Sequence, residues 1–115
     1  MIRNFYKVEP VFEHSHDGDG KVYAAKIFSE TEFSTKLQFL FYTVLPPGTS
    51  IGAHKHGNDE ELYIILEGTG EMEVNSVKTT VVAGDVIVNK PFETHGLRNT
   101  SEIEDLKILV FEVAV

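Results

Sequence analysis

The 115-residue sequence contains no cysteine, which excludes both a disulfide framework and a thiolate metal site. No stretch approaches the ~20 apolar residues of a membrane span, and the opening MIRNFYKVEP lacks the apolar run of a secretory signal. A cytoplasmic protein without a membrane partner is therefore expected. Positive charge is scarce: ten basic residues stand against eighteen acidic ones, a formal charge of −8. That balance repels phosphate backbones and no basic stripe offsets it, so no nucleic-acid partner is expected. Helical periodicity is missing as well.

What the chain has is alternation. Hydrophobic residues make up 42% of the sequence, enough for one compact domain that buries roughly two thirds of its unfolded surface. Residues 21–28 (KVYAAKIF) read as a strand entered through the turn-rich DGDG at 17–20. Residues 37–45 (LQFLFYTVL) form a second, stopped by Pro46-Pro47-Gly48. Residues 51–56 continue extended, the GND at 57–59 turns, and residues 61–66 run back. Segments 71–75 and 77–82 flank a tight Asn75-Ser76 connection and predict a hairpin. Short strands at 86–89, 95–99 and 106–113 complete the set. About nine short strands with turns between them predict an all-β sandwich or barrel.

The chemistry concentrates in GTSIGAHKHGNDEELYIILEG, residues 48–68. His54 and His56 occupy positions i and i+2, so on a strand both side chains leave the same face. Glu61 follows the GND turn, and on a returning strand it lies within cross-strand reach of the pair. If that face is an interior, the three groups suit an ion at ~2.0–2.2 Å from each ligand atom. Two histidines so spaced also fit a solvated loop. A second such pair, His14 and His16, precedes Asp17 and Asp19. No returning strand offers it a carboxylate, so a solvated turn is expected there, with an auxiliary metal site or a flap over a pocket as the alternative.

Spacing decides between the readings. Gly48, five residues, His54, one residue, His56, four residues, Glu61, six residues, Gly68 matches the first motif of the cupin superfamily. Gly84, with His95 eleven residues on and Asn99 four later, matches the ends and the histidine of the second, although Lys90-Pro91-Phe92 replaces the family's Pro-x-Gly. The chain thus resembles a small single-domain cupin. The resemblance implies a double-stranded β-helix, the jelly-roll barrel, over residues 37–115, with residues 1–36 as N-terminal strands or an arm packing on it. It further implies one divalent transition metal (Mn, Fe, Ni, Co or Zn) held by His54, His56, Glu61 and His95. Glu60 competes with Glu61 for the carboxylate role, but the six-residue run to Gly68 counts from Glu61. Asn99 is expected to orient its strand end rather than bind metal.

Parity with Glu61 places Tyr63 in the pocket, where it is the candidate catalytic residue. The family register assigns Tyr42 and Val44 to the pocket as well. Oxalate-degrading cupins carry an arginine at the position of Val44, so its absence counts against that activity. Phe39, Phe41 and Phe111 are expected in the core, and Arg98, of opposite parity to His95, is a weak candidate for an anion clamp. The expected function is binding or conversion of a small organic molecule at the metal, of dioxygenase or isomerase type. The alternative is a non-catalytic small-molecule or sugar-binding cupin with a structural metal. Exposed strand edges further suggest a homodimer.

Overall fold

Alternate burial organises the chain into two facing sheets. The computed structural model describes residues 1–115 and contains ten strands: β1 Val11–Glu13, β2 Val22–Ser29, β3 Leu37–Leu45, β4 Ser50–Lys55, β5 Asp59–Glu67, β6 Thr69–Val74, β7 Val77–Val82, β8 Val86–Asn89, β9 Thr94–Asn99 and β10 Leu106–Ala114. Every pairing is antiparallel. Six strands form one sheet in the order β1-β2-β3-β10-β5-β8, and four form the other in the order β4-β9-β6-β7. Three 3-10 turns, at Phe5–Lys7, Ser15–Asp17 and Glu30–Glu32, supply the helical content. No helix is long and apolar enough to cross a membrane.

The core fills the space between the sheets. Glu61, Tyr63 and Ile65 point inward from β5, and Leu106, Ile108 and Val110 do so from β10. Ile51, Met72, Val81 and Leu97 meet them from the four-stranded sheet. Each such buried aliphatic side chain contributes about 1.5–3 kcal/mol. The result is a jelly-roll barrel, with sheets that close over a shared interior. Residues 1–36 supply β1 and β2, and Val22 of β2 enters the same core. The three-residue β1 was too short to leave a periodic signal.

One connection differs from expectation. The turn after β4 does not fold β5 back against it as a hairpin. β4 pairs with β9 while β5 lies in the other sheet between β10 and β8. The turn is a crossover between sheets, held by hydrogen bonds from the Phe92 amide to the Gly57 carbonyl (3.0 Å) and from the Val115 amide to the Asn58 carbonyl (3.3 Å). The Asn75-Ser76 hairpin forms as expected, with both residues at positive φ (47° and 69°), as a tight turn of the primed kind demands.

Phe92 stands where the cupin pattern has glycine, and its backbone takes the conformation a glycine would, with φ 65°. A bulky residue in this region carries strain of about 1–2 kcal/mol. Because the Phe92 side chain is exposed, little packing offsets that cost. Phe92→Gly is expected to raise the unfolding free energy by about 1 kcal/mol, measured as an upward shift of the urea midpoint at constant m-value.

Candidate metal centre

Strand register and the crossover bring four ligand atoms together. His54 of β4 sits directly opposite His95 of β9, so both imidazoles leave the inner face of the four-stranded sheet. His56 follows at the end of β4. Glu61 arrives from the facing sheet, across the barrel interior rather than along a hairpin. One ligand atom from each of the four lies within 4.8 Å of every other. His95 is fully buried and Glu61 is 6% exposed, and His95 Nε2 lies 3.0 Å from Glu61 Oε1. Glu60 turns away to pair with Lys90 at 3.3 Å.

Hydrogen bonds at the far side of two rings set the charge state of the cluster. His54 Nδ1 donates to the Gly52 carbonyl at 2.7 Å, and His56 Nδ1 donates to Asp59 Oδ1 at 2.6 Å. Both acceptors require a proton on Nδ1, so the Nε2 atom of a neutral ring at either position carries a lone pair. Those two atoms face one another at 3.0 Å. Burial lowers the His54 pKa to about 4, so near neutral pH no second proton on that ring relieves the repulsion. A cation between the nitrogens and the Glu61 carboxylate does. The donor set therefore fits a divalent transition metal, with imidazole and carboxylate as borderline-hard ligands. His54 and His56 are held from behind in the manner metal sites require, whereas the buried His95 Nδ1 has no partner.

Two of those supports were not visible in the sequence. Asp59 lies three residues beyond His56 on the crossover, and Glu112 of β10 sits opposite Glu61 with Oε1 3.2 Å from His56 Nδ1. Burial, followed by repulsion from Asp59 and Glu61, pushes the Glu112 pKa up to about 7. Only the β5–β10 register could have revealed Glu112.

A cavity of about 220 Å³ opens beside the cluster, walled by Phe39, Phe41, Thr43, Tyr63 and Glu61, with Glu13, Ser15 and His16 on its far side. Tyr63 is buried, and burial together with Glu61 raises its pKa well above the usual phenol value, so the hydroxyl keeps its proton. Tyr42 and Val44 do not line this cavity, contrary to expectation. They face outward from β3 into a separate cleft beneath Phe5 and Tyr6, with the Tyr42 ring 4.6 Å from that of Phe5. The inward residues are Phe39, Phe41 and Thr43. The argument from a missing arginine at Val44 falls with that register, although the cavity wall itself holds no lysine or arginine. Phe111 lies in an apolar groove on the outer face with Leu40 and Ile64. Arg98 points outward to the Gly48 carbonyl (3.3 Å) and the Asp19 carboxylate, away from the cluster. Asn99 donates to the carbonyls of Leu45 (2.9 Å) and Glu104 (2.7 Å) and ties down the end of β9.

His14 and His16 are both exposed, as expected of a turn, but the His16 ring is not free. Its ring stacks on His54, with centroids 3.5 Å apart and planes at 8°. No local pattern could show this, because the contact joins segments 38 residues apart.

Comparison with known proteins agrees with this geometry. The family profile described as Cupin domain matches residues 41–112. An oxalate-binding protein of Thermotoga maritima is 34% identical over 95 residues, covering 81% of this chain and 78% of the relative. A crystal structure from Thermotoga maritima described as a predicted oxalate decarboxylase superposes with a TM-score of 0.95 at 30% identity over the whole of both chains. A 5-nitrosalicylic acid 1,2-dioxygenase of Bradyrhizobium is 29% identical over 72 residues, which span 63% of this chain and 34% of that enzyme.

The raised pKa of Glu112 fixes the sign of a pH effect. A carboxyl whose folded pKa lies above its unfolded value favours folding below about 4.5, and that contribution is lost as pH rises through about 7. For metal-free protein, the melting temperature of Glu112→Gln should therefore gain on the parent by a few degrees between pH 4.5 and pH 8. Parallel curves across that range, read by differential scanning calorimetry, would contradict the burial of an ionising Glu112.

Proposed function

This chain belongs to the cupin family, and we propose that it is a metal-dependent binding protein for a small chelating oxyacid, with oxalate the first ligand to test. The observation that carries the reading is the convergence of His54 Nε2 and His56 Nε2, 3.0 Å apart, with the Glu61 carboxylate beside them. When bound, the ion supplies positive charge and Lewis acidity. The chain supplies the rest. Asp59 and the Gly52 carbonyl orient two imidazoles, and Phe39 and Phe41 give one side of the cavity an apolar wall. The protonated Tyr63 hydroxyl stands beside Glu61 as a neutral donor. A wall free of lysine and arginine leaves the ion as the main attraction for an anion, which suits a compact chelator better than a phosphate. Similarity to the oxalate-binding protein supports the choice of oxalate.

A second reading is oxygenase or isomerase chemistry on an enol or diketone at the same centre. It draws on Tyr63, held as a neutral phenol at the cavity, and on the partial match to the dioxygenase.

Calorimetric titration of oxalate into manganese-loaded and metal-stripped protein tests the binding reading. Saturable 1:1 binding is expected only with metal, with an affinity at least 100-fold weaker without it (~2.7 kcal/mol). Equal binding by both forms, or none by the loaded form, would sink it. His95→Ala, which removes a fully buried ligand, is expected to abolish stoichiometric metal uptake in elemental analysis. Oxygen consumption by iron-loaded protein with a panel of enols would instead support the second reading.

A further inference from the structure

The segment carrying His16 is built into the site at a visible structural cost. His16 and Asp17 both adopt left-handed backbone, with φ of 49° and 56°, a conformation that costs a non-glycine residue and concentrates at functional positions. The strap is pinned to β4 on its far side. The Asp19 amide donates to Ser50 Oγ (2.8 Å), the Ser50 amide donates to the Asp19 carbonyl (3.0 Å), and Asp19 pairs with Arg98. The approach is so close that a Cβ on Gly52 would stand 2.0 Å from the His16 carbonyl, and one on Gly18 would stand 2.1 Å from that of Ser50. Glycine is required at both places for the strap to lie flat.

That geometry lays the His16 ring on His54 and exposes its edge to the cavity. Unlike His54 and His56, whose Nδ1 protons are committed to Gly52 and Asp59, His16 has no hydrogen bond to either ring nitrogen within the chain. It is the one nitrogen-bearing side chain in the cavity wall. The residue is exposed, so its ring nitrogens are open to solvent and to a ligand entering the cavity.

We infer that His16 is a specificity-determining residue, which donates a hydrogen bond from the strap to a small anion held at the metal centre. The inference rests on the metal-centred binding proposed above. It identifies the ligand class as compact oxyanions or similar acceptors that fit a cavity of about 220 Å³ and offer an acceptor atom toward the strap.

The test uses cobalt(II)-loaded protein, titrated separately with azide and with oxalate and followed by visible absorption. His16→Phe keeps a flat ring against His54 and removes the nitrogens, while His16→Ala removes both. His16→Phe is expected to retain one cobalt per chain and to weaken binding of at least one of the two anions about tenfold (~1.4 kcal/mol). Retention of parental affinity for both anions by His16→Phe would overturn the inference. So would loss of cobalt in both variants, which would make the ring a support for His54. A parent that takes up azide but not oxalate would end the oxalate reading, and the azide arm would still decide the role of His16. A parent that binds neither anion would leave nothing for His16 to recognise and would overturn it too.

Discussion

Two imidazole nitrogens brought to 3.0 Å of each other inside a protein are the constraint around which this molecule is arranged. The Gly52 carbonyl and the Asp59 carboxylate hold protons on the Nδ1 atoms of His54 and His56, so the two Nε2 atoms face one another beside the Glu61 carboxylate. In a low-dielectric interior such a contact is costly unless positive charge enters it. The pairing of His54 with His95 across β4 and β9, and the delivery of Glu61 from the other sheet, hold the four groups together.

Rigidity of this kind comes from the barrel rather than the site. The ligands sit on strands whose inward neighbours are core: Ile51 precedes His54, Leu97 follows His95, and Tyr63 and Ile65 follow Glu61. A shift of one residue in any of these strands would turn a ligand to solvent and a core side chain with it. Register and ligand geometry are therefore stabilised by the same apolar burial. The crossover at Gly57-Asn58 adds the last constraint, since it determines that the carboxylate faces the imidazoles across the interior.

Much of this was legible in the sequence, and the failures have a common cause. Period-two alternation located nine of the ten strands, and the intervals around His54, His56, Glu61 and His95 picked out the four residues that the structure gathers. The inward face of β3 was misread because that strand is apolar on both sides. Phe39 and Phe41 face the barrel, while Leu40, Tyr42 and Val44 pack with other apolar residues on the outside. Alternation carries no parity when both faces are buried. His16 and Glu112 escaped for a different reason. One is brought in by a strap and the other by strand pairing, and neither contact leaves a local pattern.

The charge arrangement of the cavity would give a bound metal a second role, as the attraction for an anion. Glu13 and Glu61 line the wall, with no lysine or arginine to balance them, on a chain whose formal charge is already −8. Without an ion this is a poor place for any anion. With one, the local sign inverts, and the field is concentrated at a single point rather than spread over a basic surface. Discrimination would then follow from size and chelating geometry in a cavity lined by Phe39, Phe41 and His16. A cavity organised in this way would make the proposed anion binding conditional on metal, and that coupling would distinguish it from sites that recognise carboxylates with arginine.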